Sequence, residues 1–305
     1  MSENLQKKPK PDWLKVRAPG GESYLKIKDM MSTRKLATVC QEARCPNIGE
    51  CWGGGTATIM VMGDTCTRGC RFCNVKTAKF PAGLDPMEPV NVAASLKDMG
   101  LEYVVITTVD RDDLPDQGAL HFANIIREVK RVNPELRIET LAGDFQGRYD
   151  LLEVLLGSNG IDVFAHNIET VERLTRGVRD RRAGYAQSLQ VLMNAKKINP
   201  QMPTKSSIMV GLGETFEEVL QTMRHLREAS VDILTLGQYM QPSQKHLVVE
   251  EFISPLVFEE YRKLGMEMGF KYVASGPLVR SSYRAGEFFI KAFLDQRDST
   301  NKERA

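Results

Sequence analysis

The chain of 305 residues has no apolar run long enough to cross a membrane. A spanning helix needs roughly 18 apolar residues, and the longest runs, near Ala57–Met62 and Tyr103–Ile106, are strand-length. Charge of one sign is not in excess either: 41 basic residues face 39 acidic ones, a formal net charge of +2. That balance leaves no basic stripe, so neither a nucleic acid nor a membrane is expected as a partner. Met1–Lys10 is polar and lacks the apolar core of a secretory signal. The expected location is the cytoplasm, or an organelle matrix where a transit segment has been removed. Histidine is scarce, with four residues at 121, 166, 225 and 246 and no His-x-x-x-His pair. Cysteine is missing from everything outside residues 40–73.

Inside that window stand Cys40, Cys45, Cys51, Cys66, Cys70 and Cys73. Disulfide frameworks belong mostly to small secreted domains. Clustered thiols in a large chain without an export signal point to metal instead.

A β/α rhythm runs along the remainder. β-rich runs at Thr58–Met62, Tyr103–Thr107, Arg137–Thr140, Asp162–Ala165, Ser206–Val210 and Asp232–Leu236 alternate with helical periodicity, as at Ala119–Arg131 and Tyr185–Ile198. Alternation of this kind predicts a parallel sheet with right-handed crossovers. The six units, with no linker between them, predict an α/β fold: a partial (β/α)6 barrel of the TIM type. A further helix and strand follow at Leu256–Met268 and Lys271–Ala274, and no convincing short repeat is visible. The expected organisation is an N-terminal extension over 1–55, a barrel core over 56–245 and a C-terminal extension over 246–305. Such folds place their chemistry at the carboxyl ends of the strands. The Lys- and Pro-rich start, Lys7 to Pro11, reads as a solvated arm or as a docking arm for an acidic partner.

Directly after the first strand comes Cys66-Thr-Arg-Gly-Cys70-Arg-Phe-Cys73. Three thiolates in C-x-x-x-C-x-x-C can hold three corners of a cubane [4Fe-4S] cluster and leave one iron open for a ligand. A zinc knot or buried free thiols are the plainer readings. The spacing, with Phe72 before the last cysteine, resembles the radical S-adenosylmethionine (radical SAM) superfamily. The resemblance implies S-adenosyl-L-methionine bound at the open iron and a 5′-deoxyadenosyl radical that abstracts hydrogen. The second constellation, Cys40-Gln-Glu-Ala-Arg-Cys45-Pro-Asn-Ile-Gly-Glu-Cys51, supplies three more thiolates and suggests a second cluster; zinc or redox thiols are its alternatives.

Together these segments, with Trp13–Arg17, Thr107–Gly118, His166–Thr170, Gly211–Thr215, Gly237–Tyr239 and Arg280-Ser-Ser-Tyr283, resemble the lipoyl synthase family over roughly residues 11–290. Two small departures lie at Thr140–Asp144 and at Ala165, neither on a proposed ligand. The resemblance implies an enzyme, a sulfurtransferase of protein lipoylation, that inserts sulfur at C6 and C8 of an octanoyl chain held on a carrier-domain lysine. It implies two [4Fe-4S] clusters. Cys66, Cys70 and Cys73 would hold the one that cleaves S-adenosyl-L-methionine, and Cys40, Cys45 and Cys51 an auxiliary one consumed as sulfur donor. Its fourth ligand would be Ser281 or Ser282. Ser282 is the choice, and adjacent residues of an extended segment point to opposite sides, so only one reaches the iron. Arg280 would steer the serine or neutralise cluster charge. Thr107, Asn167 and Glu169 are candidates for the cofactor's ribose and methionine groups, with Gly211 and Gly213 allowing close backbone approach. Implied partners are octanoylated lipoyl carrier domains, an electron donor such as a flavodoxin or ferredoxin, and a cluster-repair protein. Lys15 and Arg17 are a candidate docking surface for an acidic carrier. A biotin synthase-like or methylthio-transferring enzyme, and a non-catalytic metal module, are the competing readings.

Overall fold

The computed structural model describes residues 9–16, 19–34, 36–53, 58–282 and 294. Arg17, Tyr283 and, in the Lys- and Pro-rich start, Lys7 and Lys8 lie outside the described residues.

The strands, in chain order, are β1 (Ala37–Thr38), β2 (Ile59–Val61), β3 (Thr65–Cys66), β4 (Lys76–Thr77), β5 (Tyr103–Thr108), β6 (Arg137–Leu141), β7 (Val163–Ala165), β8 (Thr204–Val210), β9 (Ile233–Gln238) and β10 (Tyr272–Gly276). Apart from a small β3–β4 pair, they form one sheet in the order β1-β2-β5-β6-β7-β8-β9-β10. From β2 to β10 every pairing is parallel; only β1 runs antiparallel, on the edge beside β2. Each parallel step needs a crossover, and helices supply it. These are α4 (Glu88–Met99), α5 (Ala119–Val132), α6 (Tyr149–Leu156), α7 (Glu172–Val178), α8 (Tyr185–Ile198), α9 (Phe216–Glu228) and α10 (Pro255–Glu267), preceded by α1 (Glu22–Thr33), α2 (Val39–Glu42) and α3 (Ile48–Gly53). α5 shows why they form: Phe122, Ala123, Ile125, Ile126 and Val129 bury one stripe against the sheet. Thr215 and Glu218 close a reciprocal capping box at the start of α9.

β10 pairs with β9 along its whole length, from Tyr272↔Ile233 to Gly276↔Gly237. A division at residue 245 therefore separates β10 from the sheet that it completes. The sequence pattern shows six β/α units; a seventh parallel strand joins them, because Tyr272–Gly276 has β9's exposed ladder edge to pair with.

At the amino ends of the strands the structure repeats itself. Lys130, in the last turn of α5, donates to Leu136 O (2.6 Å) and to Asp162 Oδ2 (3.1 Å). Asp162 Oδ2 also accepts from the Ile138 amide (2.9 Å), and the Asp162 amide returns a bond to Ile138 O (2.9 Å). Sixty-odd residues on, Lys196 at the end of α8 donates to Met202 O (2.7 Å) and Asp232 Oδ2 (2.5 Å). Asp232 Oδ2 accepts from the Thr204 amide (3.0 Å), and the Asp232 amide bonds to Thr204 O (3.0 Å). Each helix ends at an Asn-Pro pair, Asn133-Pro134 and Asn199-Pro200, with the asparagine out of helical geometry, since the α region is disfavoured before proline. Arg137 braces the first aspartate and Lys271 the second. Burial works to raise the Asp232 carboxyl, but Lys196, Lys271 and the Thr204 amide hold it below the usual carboxylate range. The two latches join α5–β6–β7 and α8–β8–β9 at the face of the barrel opposite the strand ends that carry chemistry.

Replacing Asp162 or Asp232 by alanine strands a lysine and a strand amide in each latch. The expected cost is about 2–3 kcal/mol each, read from urea unfolding. The latches share no partner, so the losses should add.

Candidate active site

The second cysteine triad begins where β2 ends. Met62 and Gly63 follow with φ of 67° and 88°, a left-handed turn that redirects the chain over the sheet. Glu88 holds that turn: its carboxylate accepts from the Met62 and Gly63 amides, and His121 Nε2 lies 2.7 Å away.

The loop that follows is pinned by one residue. Arg68 is 4% exposed, inside the C-x-x-x-C turn. Its Nε and Nη2 donate to Asp112 (2.9 and 2.8 Å), and its Nη1 and Nη2 donate to Asp144 (both 2.7 Å). Asp110 adds a third carboxylate at 3.6 Å. Burial works against the charge, yet the three carboxylates hold the guanidinium above its ordinary value. A lysine could not fork two carboxylates in this way.

The sulfurs are set as acceptors. The Arg68 and Asp110 amides point at Cys66 Sγ (3.4 and 3.3 Å), and the Asp180 amide points at Cys70 Sγ (3.3 Å). The Val75 amide serves Cys73. Burial nevertheless pushes the thiols of Cys66 and Cys70 up to about 12 and that of Cys73 to about 11.

The first triad is built on short pieces. Cys40 lies on α2, Cys45 in the turn after it and Cys51 on α3. The Thr58 amide and hydroxyl and the Trp52 indole N–H approach the Cys40 sulfur. That indole N–H is buried without a close hydrogen-bond partner. Asn47 Nδ2 donates to Leu278 O (2.7 Å), tying this region to a segment 231 residues away. Burial pulls the Arg280 guanidinium below its ordinary value, and the nearby Cys45 counters it.

A single cavity of about 510 Å³ joins these parts. All six free cysteines line it, together with Arg280, Ser281 and Ser282. Thr107, Asn167 and Glu169 line it too. Thr107 Oγ1 donates to Leu141 O (3.0 Å), keeping its lone pairs free, and Asn167 Nδ2 donates to Glu169 Oε1 (3.1 Å). Glu169 holds a strained φ of 70°, and burial raises its carboxyl.

Gly211 and Gly213 are not among the residues that line the cavity. Both have left-handed φ, 100° and 98°. Gly211 is also crowded, since a Cβ there would meet the Gln238 side chain and the Glu251 carbonyl. They turn the chain after β8 and seat it against the loop near residue 250.

Sequence reasoning missed Arg179. It is 8% exposed and lines the cavity, with Nη1 on Ser188 Oγ (2.7 Å) and Nε without a partner. Its signal was only that a second arginine-aspartate pair, Arg179-Asp180, follows α7. His166 also lines the cavity. Its Nδ1 lies 2.9 Å from Ala142 O, and so carries the proton; Nε2 accepts from Ser188 Oγ at 2.9 Å.

The donor set fits iron–sulfur clusters. The ligands are soft thiols, amide N–H groups are aimed at the sulfurs, and the orphaned Trp52 N–H faces Cys40. Burial keeps these thiols protonated unless a cation discharges them.

The sequence profile of the radical SAM superfamily matches residues 60–226, and that of the N-terminal domain of lipoyl synthase matches residues 1–45. A mitochondrial lipoyl synthase of Aedes aegypti is 60% identical over 292 residues, covering 94% of this chain and 74% of that protein. The chain belongs to the lipoyl synthase family. Lipoyl synthases of Drosophila melanogaster (59% identical, 94% of this chain, 77% of that protein) and Pisum sativum (57%, 94% and 78%) are similar to it as well. Among solved structures it resembles methylornithine synthase, with a TM-score of 0.56 at 17% identity over 83% of this chain and 71% of that one. The hydrogenase maturase HydG gives 0.54 at 15% identity, over 86% and 57%. At such identities the likeness shows the fold alone, the α/β radical SAM barrel.

Burial first, then Arg179 and Arg68, pushes His166 down to about 4, against the pull of Asp144. A histidine buried neutral favours the fold fully above its unfolded pKa near 6.5, and that support is lost as pH falls toward 4. Its share is about 3 kcal/mol. The urea midpoint of His166→Gln should therefore fall less between pH 7 and about pH 4 than that of the unaltered chain.

Proposed function

We propose that this enzyme inserts sulfur at C6 and C8 of an octanoyl group carried on a lipoyl carrier domain, with two [4Fe-4S] clusters and S-adenosyl-L-methionine. One observation carries the reading: two cysteine triads and the Arg280–Ser282 segment face one cavity. A single-cluster radical enzyme has no use for the second triad, and a metal-binding module has no use for a cavity at the strand ends.

Cys66, Cys70 and Cys73 would hold three corners of the radical-generating cluster. Cys40, Cys45, Cys51 and Ser282 would hold the auxiliary cluster, the sulfur source. Cluster and bound S-adenosyl-L-methionine supply the one-electron chemistry that breaks unactivated C–H bonds. The chain does the rest. Arg179, a buried cation with a free Nε–H, suits the cofactor's carboxylate. Glu169 with Asn167 suits its amino and ribose groups, and Thr107 Oγ1 offers an acceptor beside them. The two triads bracket the space where an alkyl chain must lie to meet a radical on one side and sulfur on the other. The cavity walls keep water from the radical.

Ser282 matters through its hardness. An oxygen ligand would match iron in a cluster less well than thiolate, which would make Ser282 the weakest of the four attachments. Ser282→Cys should keep the auxiliary cluster yet cut lipoyl formation by about tenfold or more; undiminished product would remove the serine from the sulfur-transfer step.

The reductant is a low-potential flavodoxin or ferredoxin, and a repair protein restores the consumed cluster. Lys15 adds little to carrier docking, since it is exposed and paired with Asp12 at 2.5 Å. The named relatives are mitochondrial proteins, which favours an organelle matrix over the cytoplasm. No helix among the described residues is long and apolar enough to cross a membrane.

The deciding experiment is anaerobic turnover with an octanoylated carrier domain, S-adenosyl-L-methionine and dithionite. Reconstituted protein should hold about eight irons per chain and form lipoyl groups. No lipoyl product from protein with both clusters intact would overturn the reading.

A further inference from the structure

We infer that the carboxyl end of β9, Gly237 with Gln238, is a positioning element for the auxiliary cluster's serine ligand. This deepens the proposed assignment and rests on it.

Gly237 has no conformational reason to be glycine. It lies in a regular parallel ladder, paired with Met209 on one side and Gly276 on the other, and its φ is not left-handed. Any β-branched residue would suit such a strand better. The reason is space. A Cβ at Gly237 would run into the carbonyl oxygen of Val279 and come within 3.3 Å of Arg280 Nη1. The chain leading to the serines therefore lies directly on the strand's backbone, and any side chain would lift it off.

Gln238 supplies the matching attachment. Its side chain is fully engaged: Nε2 donates to the carbonyls of Val210 (3.2 Å), Tyr239 (3.1 Å) and Glu251 (2.9 Å), and Oε1 accepts from the Ile253 amide (2.8 Å). That network fixes its backbone, whose carbonyl accepts from Arg280 Nη1 at 3.2 Å. Arg280 Nη1 also donates to Val279 O at 2.7 Å, closing a loop over the glycine. From the other side, Asn47 grips Leu278 O at 2.7 Å. Residues 278, 279 and 280 are thus held one after another, and Ser281 and Ser282 emerge onto the cavity wall shared with Cys40, Cys45 and Cys51. The strand end sets where the serine oxygen falls relative to the triad.

The test uses full-length protein carrying Cys66→Ala, Cys70→Ala and Cys73→Ala, so that only the auxiliary cluster remains. After reconstitution its Mössbauer spectrum should contain an oxygen-ligated site amounting to about one iron in four. The paired change Ser281→Ala with Ser282→Ala should abolish that site. Gly237→Ala should abolish it too, while still taking up about four irons per chain. Arg280→Gln, which leaves the backbone room intact but loses the fixed guanidinium donor, should diminish it. If the paired serine change removes the site and Gly237→Ala retains it, the seat is refuted and the serine ligand stands. If the paired change leaves the spectrum unaltered, the ligand assignment fails and the seat with it. Should Gly237→Ala fail to take up iron, Arg280→Gln decides: an undiminished site there overturns the proposal.

Discussion

The site depends first on a buried cation. Arg68 sits inside the loop that carries Cys66, Cys70 and Cys73, yet its partners come from elsewhere: Asp110 and Asp112 after β5, Asp144 after β6. Taking a guanidinium out of water is costly, and only a nearly complete set of charged partners offsets it. Two forked carboxylates and a third nearby make that set. The consequence is geometric. The loop cannot shift without unpairing a charge in a low-dielectric interior, so the cysteine spacing is fixed to two strand ends at once. The amides that point at Cys66 Sγ belong to Arg68 and Asp110, two members of the same ion cluster. Charge pairing and sulfur solvation are one construction.

The sheet turns this local clamp into a chamber. Thr107, Leu141, Ser207 and Gly237 reach the cavity from β5, β6, β8 and β9, so the sheet curls around it. The same concave face carries, further down, the buried Lys205–Glu139 pair (2.8 Å) with Tyr103 on Glu139 (2.6 Å). The twin lysine–aspartate latches lie at that lower end too. Stability is concentrated there and chemistry at the other end, the division that parallel α/β barrels follow generally.

What could be read from the sequence was what is local. Both triads fit within 34 residues, and a thiolate spacing carries its chemistry wherever the fold places it. The strands announced themselves by β-branched runs. What escaped depends on contacts across long separations: Arg68 with Asp144, 76 residues apart, or Asn47 with Leu278. The internal repeat escaped because its shared parts, a lysine, an Asn-Pro pair and an aspartate, are common residues spread over some thirty positions. The role of a glycine depends on such distant neighbours too: a Cβ at Gly237 would meet the carbonyl of Val279, a contact that its own strand does not announce.

The two triads rest on different kinds of support. Around Cys66, Cys70 and Cys73, amides from the loops after β5 and α7 point at the sulfurs, and Arg68 locks the turn between them. Hydrogen bonds of this kind would tune the potential of a cluster held there. Cys40, Cys45 and Cys51 also have donors near sulfur, the Thr58 amide and Trp52 indole at Cys40 and the Asn47 amide at Cys45, but they sit on helices of four and six residues and the turn between them. Helices that short have little stability of their own and depend on what packs against them. Here that support includes the buried Trp52 and the hydrogen bond from Asn47 to Leu278 O. The Arg280–Ser282 segment that faces this triad across the cavity is anchored differently, to the end of β9 through the Gln238 carbonyl, so the two walls of the chamber draw their rigidity from separate parts of the fold.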